Sequence, residues 1–191
     1  MKIIKRGKNL NTVVEIMKEG KVVVCPTDTV YGLIADATNK KAIKKLFKIK
    51  KRKTSKPVPL FVKDLKAAKR IAQINKSEEQ FLKKVWPGKI TVVLKRKKTK
   101  KKLYGVDKKT IALRIPEYRL VNNLLRKVGF PLAGTSANIS GKPATTKIRK
   151  VIEQFRNKKF QPDLIVDAGN LKASKPSMVI DLTKELKILR K

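Results

Sequence analysis

The sequence predicts an α/β fold built on a mixed sheet, and three observations carry that prediction. Short apolar, β-branched runs at residues 22–25, 58–62, 90–94, 110–115 and 130–133 stop at proline, glycine or polar turns. Between several of them, apolar residues recur at helical spacing with lysines on the other side. The two element types alternate irregularly, which favours a mixed sheet over a strictly parallel, doubly wound one. With 191 residues and no repeat, long linker or composition break, the chain reads as one domain over residues 1–191.

Taken in order, residues 3–4 form a short strand and 12–17 a helix, with Asn11 as its cap and Gly20 as its stop. The run 22–25 is a buried strand that ends at Pro26, and Thr27, Asp28 and Thr29 occupy the following turn. Asn39 caps a second helix whose apolar face is Ala42, Ile43, Leu46 and Phe47. A basic polar loop, residues 50–57, leads to the strand 58–62. Asp64 caps a helix reaching Ile74, and Ser77 with Gln80 makes a capping box for the next one. Trp86-Pro87-Gly88 ends that helix before the strand 90–94. Seven of the eight residues from 95 to 102 are basic and read as a solvated loop between strands. The strand 110–115 closes at Pro116, a helix over 120–128 ends at Gly129, and the strand 130–133 leads to Gly134-Thr135-Ser136-Ala137-Asn138-Ile139-Ser140-Gly141. A helix over 146–156 and strands at 164–166, 177–182 and 187–190 complete the chain.

Composition excludes several chemistries. Without a histidine, the chain has no Ser-His-Asp triad, no imidazole acid–base pair and no histidine-ligated metal. Cys25 is the only cysteine, which rules out an internal disulfide and fits a cytoplasmic setting. No apolar run reaches the length of a membrane span, so no membrane partner is expected. Against 50 Lys+Arg stand 14 Asp+Glu, a net charge of +36. Lysines spread along the whole chain fit a general lysine bias, yet the field attracts polyanions whatever its origin.

Four polar clusters stand at strand ends: Thr27 to Thr29; Lys50, Arg52 and Lys56; Thr110 with Arg114; and Ser136 with Asn138. In the last two pairs the separation is two residues or a multiple of it, so each pair shares one face of an extended segment. Arginine forks onto carboxylate or phosphate, lysine supplies point charge, and Ser, Thr and Asn supply oriented hydrogen bonds. Neither a Walker motif nor G-x-G-x-x-G is present, so a nucleotide would be held by another arrangement. Taken singly, the first two clusters read first as an ordinary turn and a lysine-rich loop, and the last two read as well as ordinary strand ends as they do as sites.

Taken together the clusters are more specific. Pro26-Thr27-Asp28-Thr29-Val30-Tyr31-Gly32-Leu33, Lys50-x-Arg52 and Thr135-Ser136-Ala137-Asn138-x-Ser140-Gly141 resemble the YrdC/Sua5 family in order and spacing. Trp86-Pro87-Gly88 with Thr91, Ala112 to Pro116, and Pro176-Ser177-x-Val179-Ile180-Asp181 extend the resemblance over essentially the whole chain. It implies the family's short form: a twisted mixed sheet with flanking helices around a positively charged cavity. The implied activity is nucleotidyl transfer, joining L-threonine, bicarbonate and ATP, carried with Mg²⁺, into threonylcarbamoyl-AMP and pyrophosphate. That product feeds t6A modification of tRNA through a downstream threonylcarbamoyl transferase complex.

By motif position, Thr29, Arg114, Ser136, Ser177 and Lys63 fall at threonine-binding positions. Arg52, Lys56, Thr110, Asn138, Thr146 and Arg190 fall at ATP-binding positions, and Lys50 with Arg52 would carry the phosphate chemistry. Departures from the family pattern occur at Lys53 (often proline), Lys63 (often histidine), Thr145-Thr146 (in place of Ser-Pro-Thr) and Met178 (often threonine). The alternative function is a non-catalytic protein that binds tRNA or double-stranded RNA, or a ribosome maturation factor. Few aromatic residues, 5%, argue against stacking on single strands.

Overall fold

The computed structural model describes residues 1–7 and 10–190. The order is β1 (Lys2–Lys5), α1 (Leu10–Lys18), β2 (Val23–Cys25), β3 (Gly32–Asp36), α2 (Lys40–Lys50), β4 (Leu60–Phe61), α3 (Leu65–Ile71), α4 (Lys76–Val85), β5 (Ile90–Lys95), β6 (Thr110–Arg114), α5 (Arg119–Val128), β7 (Leu132–Ser136), α6 (Ile148–Phe155), β8 (Leu164–Asp167), β9 (Met178–Asp181) and β10 (Lys187–Arg190). Among the described residues, ten strands form one sheet in the order β1-β8-β2-β3-β7-β4-β6-β5-β9-β10. Pairs β1/β8, β2/β8, β4/β6 and β5/β9 are parallel, and β2/β3, β3/β7, β4/β7, β5/β6 and β9/β10 are antiparallel. The sheet is therefore mixed, as the irregular alternation of elements predicts.

The central strands are buried on both faces, which explains why residues 22–25 are apolar without alternation. Val22, Val24, Leu33 and Ala35 join a core with Leu46 and Phe47 of α2 and Val151 and Phe155 of α6. Val23, Cys25 and Ile34 point the other way, against Val13, Val14 and Met17 of α1 and Val121, Leu124 and Leu125 of α5. Each such side chain taken fully out of water contributes about 1.5–3 kcal/mol.

Several local expectations are corrected. Asn11 lies inside α1, which starts at Leu10. The capping box of α4 is Asn75 with Glu78, not Ser77 with Gln80, because Asn75 Oδ1 is the acceptor for the Glu78 amide while Glu78 accepts from the Asn75 amide. The Ser77 hydroxyl donates to Asn75 Oδ1, supporting the cap instead of making it. Helix α3 ends at Ile71, short of Ile74, because Ala72 turns extended and bridges Arg96. Strand β4 is two residues long, flanked by Pro59 and by Val62, whose amide bonds the Arg114 carbonyl. Two caps match: Asn39 accepts the Lys41 and Ala42 amides, and Asp64 accepts that of Ala67. Strand β3 carries no strand signal of its own in the sequence, since Gly32 and Asp36 at its ends look like turn residues. It forms because it lies between β2 and β7, which pair with it on both sides.

Candidate active site

A cavity of about 450 Å³ runs across one face of the sheet, lined from β3, β7, β4, β6, β5, β9 and β10 in spatial succession. The side chains at its floor obey the period of two: Ala112 and Arg114 on β6, Thr91 and Val93 on β5, Gly134 and Ser136 on β7. Small residues make the space. A Cβ added to Gly134 would lie 2.5 Å from Cε2 of Phe61, so the Phe61 ring occupies the place a side chain would take. The turn at residues 27–30 and the loop 52–57 wall the cavity.

The Pro26–Leu33 stretch is built as a support for one guanidinium. Thr27 Oγ1 donates to the Val30 carbonyl at 2.7 Å and accepts the Thr29 amide at 3.1 Å, which fixes the turn. Thr29 Oγ1 is thereby held 3.0 Å from Thr27 Oγ1 and accepts Arg114 Nη1 at 3.5 Å. Arg114 also donates from Nε to the Gly88 carbonyl at 2.8 Å and from Nη2 to Asp28 Oδ2 at 2.7 Å. Both partners of the ion pair are almost fully buried, with 3% and 7% of their side-chain surfaces exposed. Burial pulls the Arg114 pKa down while the Asp28 carboxylate opposes that, and the guanidinium stays charged. Protein acceptors occupy Nε and one arm of Nη2, so Nη1 is the nitrogen best placed for a ligand carboxylate.

Opposite lie hydroxyls and more cations. Thr91 Oγ1 and Ser177 Oγ are buried 2.9 Å apart across the β5/β9 seam. Arg190 on β10 donates from Nε to the Ser177 carbonyl at 2.9 Å and from Nη2 to Ser177 Oγ at 3.2 Å. Arg52 donates from Nε and Nη2 to the carbonyls of Lys56 and Pro57, both at 2.8 Å, which folds the basic loop over the cavity rim. Burial and the neighbouring Arg190 charge lower the Arg52 pKa, and burial lowers that of Arg190. No Asp or Glu lines the cavity among the described residues.

Lys50 departs from its expected place. It is not among the lining residues, and its Nζ donates to the Ser136 carbonyl at 2.6 Å, Ser136 Oγ at 3.1 Å and Asn138 Oδ1 at 2.5 Å. Three donors meet three acceptors, and the Lys50 carbonyl accepts the Ser140 amide at 2.8 Å. Burial, then the Arg52 charge, lowers the Lys50 pKa to about 7. Lys50 therefore clamps the 136–140 segment from directly behind the lining residue Ser136.

Of the sequence-selected residues, Thr29, Arg52, Lys56, Arg114, Ser136, Ser177 and Arg190 line the one cavity. Asn138 sits behind it, with Nδ2 donating to the Ile139 carbonyl at 3.1 Å. Thr110 shares the face of Ala112 and Arg114 but lies beyond the lining, with its hydroxyl on Asp107 at 3.3 Å. Thr146 is outside the lining too, its carbonyl accepting the Leu171 amide. Lys63 is elsewhere. It is half-exposed, 4.0 Å from Asp64, and lines a separate cavity of about 390 Å³ with Ala67, Arg70 and Phe130. One residue separates it from Phe61, but β4 ends at Phe61 and the chain bends at Lys63 and Asp64, so the alternation of faces is not carried on to Lys63. Tyr31 is a core residue whose hydroxyl donates to the Gly169 carbonyl at 2.7 Å.

Sequence reasoning did not select Thr91, Phe61 or, as a functional group, Asp28. Thr91 looks like any β-former inside an apolar run, and its Ser177 partner is 86 positions away. Its place in the motif Trp86-Pro87-Gly88 with Thr91 is the signal that marks it, although that motif by itself assigns it no role.

The chain belongs to the Sua5/YciO/YrdC family, described as telomere recombination, which it matches over residues 15–191. It is 35% identical over 177 residues to a Methanocaldococcus jannaschii protein that bears threonylcarbamoyl-AMP synthase as a provisional name, covering 93% of this chain and 82% of that one. It is 34% identical over 169 residues to the threonylcarbamoyl-AMP synthase of Pyrococcus abyssi, covering 88% of this chain but 49% of that longer protein. The structure of P. abyssi Sua5 complexed with L-threonine superposes with a TM-score of 0.86 at 30% identity, covering 99% of this chain and 56% of that one. E. coli YciO, described as uncharacterised, is equally similar in fold: TM-score 0.86 at 27% identity, covering 100% of this chain and 94% of that one. The fold is thus YrdC-like, and the family contains both named synthases and members of unstated activity.

Proposed function

We propose that the chain is an L-threonylcarbamoyladenylate synthase, using L-threonine, bicarbonate and ATP and releasing pyrophosphate. The observation that carries this reading is one cavity whose cations differ chemically: Arg114 is paired with a buried carboxylate, while Arg52, Lys56 and Arg190 meet no carboxylate among the described residues. Arg114, paired with Asp28 and flanked by Thr29, suits the carboxylate of an amino acid. Arg52, Lys56 and Arg190 suit a polyphosphate. The likeness to P. abyssi Sua5 complexed with L-threonine supports the same assignment.

In this reading the threonine carboxylate takes Arg114 Nη1 and the Thr29 hydroxyl, and the Ser177–Thr91 pair offers hydroxyls to its polar groups. Once the threonine ammonium has released a proton to solvent, its neutral amine attacks the bicarbonate carbon, and loss of water leaves a carbamate. A carbamate oxygen then attacks the α-phosphorus of ATP and pyrophosphate departs. Arg52, Lys56 and Arg190 stabilise charge on the departing phosphates. Lys50 contributes by holding Ser136 and Asn138, not by touching phosphate. No side-chain nucleophile is needed. Among the described residues no carboxylate lines the cavity, and in this reading Mg²⁺ enters as part of the nucleotide substrate, held by its phosphates.

Thermal melting with ATP and threonine tests the reading. Joint stabilisation larger than either ligand gives alone is expected for neighbouring sites in one cavity, about 2.7 kcal/mol for each ligand at a hundred times its Kd. Melting unaffected by threonine, with salt-sensitive binding of double-stranded RNA, would favour the non-catalytic alternative.

A further inference from the structure

The structure assigns Asp28 a role in substrate specificity: its charge separates the amino-acid end of the cavity from the polyphosphate end. This rests on the synthase reading for the identity of the two ligands. Four cations line the cavity: Arg52, Lys56, Arg114 and Arg190. Among the described residues, one of them alone meets a carboxylate, Arg114, through Asp28 Oδ2 at 2.7 Å. The others engage neutral groups: Arg52 the Lys56 and Pro57 carbonyls, Arg190 the carbonyl and hydroxyl of Ser177.

Asp28 does not itself line the cavity, and its position is over-determined. Oδ2 also accepts the Glu117 amide at 3.0 Å, tying the turn after β2 to the segment following β6. Its other oxygen is buried without a protein donor, so the full carboxylate charge stays close to Arg114. The pair sums to zero. A zwitterion with one carboxylate loses little by meeting a neutral pair, because Arg114 Nη1, which Asp28 does not engage, still has a hydrogen bond to donate. A polyphosphate gains much less there than beside Arg52, Lys56 and Arg190. Without Asp28, all four cations would be uncompensated, and pyrophosphate could settle at either end.

Asp28→Asn removes the charge and keeps an acceptor for Arg114 and for the Glu117 amide, while Asp28→Glu restores the charge. The test is calorimetric titration of inorganic pyrophosphate into the wild-type chain and both variants, followed by threonine competition. Folding is checked by circular dichroism. For Asp28→Asn we expect about tenfold tighter pyrophosphate binding and competition with threonine that the wild type lacks. Asp28→Glu should return both properties toward wild type. If Asp28→Asn is folded and binds pyrophosphate with unchanged affinity and no threonine competition, Asp28 only shapes the turn. Should Asp28→Asn not fold, unchanged behaviour of a folded Asp28→Ala variant overturns the idea equally. Tightened pyrophosphate binding in a protein that shows no turnover as wild type would keep the charge separation and reject the synthase reading.

Discussion

Lys50 and Asn138 are joined by a buried hydrogen bond, Nζ to Oδ1 at 2.5 Å, that fastens the end of α2 to the segment after β7. The same ammonium holds the carbonyl and hydroxyl of Ser136. Lys50→Met keeps the stem and removes all three bonds. The acceptors left behind cost about 1–3 kcal/mol, partly offset because a desolvated charge is gone. The larger effect falls on Ser136, whose hydroxyl loses its anchor. Turnover should drop about a hundredfold with a modest change in urea midpoint. Wild-type turnover in a folded Lys50→Met variant would remove the clamp from the account.

The same residue makes stability depend on pH. The folded-state pKa of Lys50 is lowered from 10.5 to about 7, chiefly by burial and then by Arg52. Between those values the unfolded chain binds more protons at this site, so stability rises with pH. The contribution is fully present above the unfolded value and is lost as pH falls toward 7. Urea midpoints at pH 6.5 and 9.5 should therefore separate the wild type from Lys50→Met, with the wild type gaining relative to the variant at the higher pH. Parallel midpoints in the two proteins would contradict the assignment.

Arg52 ties the rim loop and offers its remaining donors to the cavity. Arg52→Ala should lower turnover by at least about a hundredfold while costing no more than about 1–3 kcal/mol of stability. Arg52→Lys keeps a charge but not the fork, so it should recover only part of the loss. Full activity in Arg52→Lys would show that charge alone matters there.

Removing Arg114 is expected to act on both stability and binding. Arg114→Ala strands a buried Asp28 carboxylate, at a cost of about 3–5 kcal/mol, whereas adding Asp28→Asn to it should recover much of that stability and none of the threonine affinity. Thermal melts of the single and double variants, with and without threonine, read both effects together.

Lys63 should be silent. It is half-exposed and lines the separate cavity, so Lys63→Ala should leave turnover and the threonine KM within about twofold and stability within about 0.5 kcal/mol. A large rise in the threonine KM would restore the role that motif position suggests for it.

Much of the fold is legible in the sequence because its signals are local. Residues 22–25 read as a strand from four apolar side chains, and Asn39 and Asp64 act as caps wherever the following turn is helical. What is not legible depends on partners far along the chain. Strand β3 begins and ends on residues typical of turns, and pairing with β2 and β7 makes it a strand. The cavity cluster is legible as an ordered set of motifs, since Thr29, Arg114 and Ser136 each end or follow a strand. Which way a long side chain turns is another matter. Lys50 and Arg52 are two apart, yet the first faces inward to Asn138 and the second outward to the rim. Lys51 between them is the left-handed cap of α2, and that reversal of the chain sends its neighbours to different sides.

The most direct measurement of the central claim is pyrophosphate release from ATP by the purified chain, with threonine and bicarbonate each present or omitted. The account predicts release only when both are present, with threonylcarbamoyl-AMP formed in equal amount. Release indifferent to threonine, or none at all in preparations that bind ATP and threonine together, would contradict it.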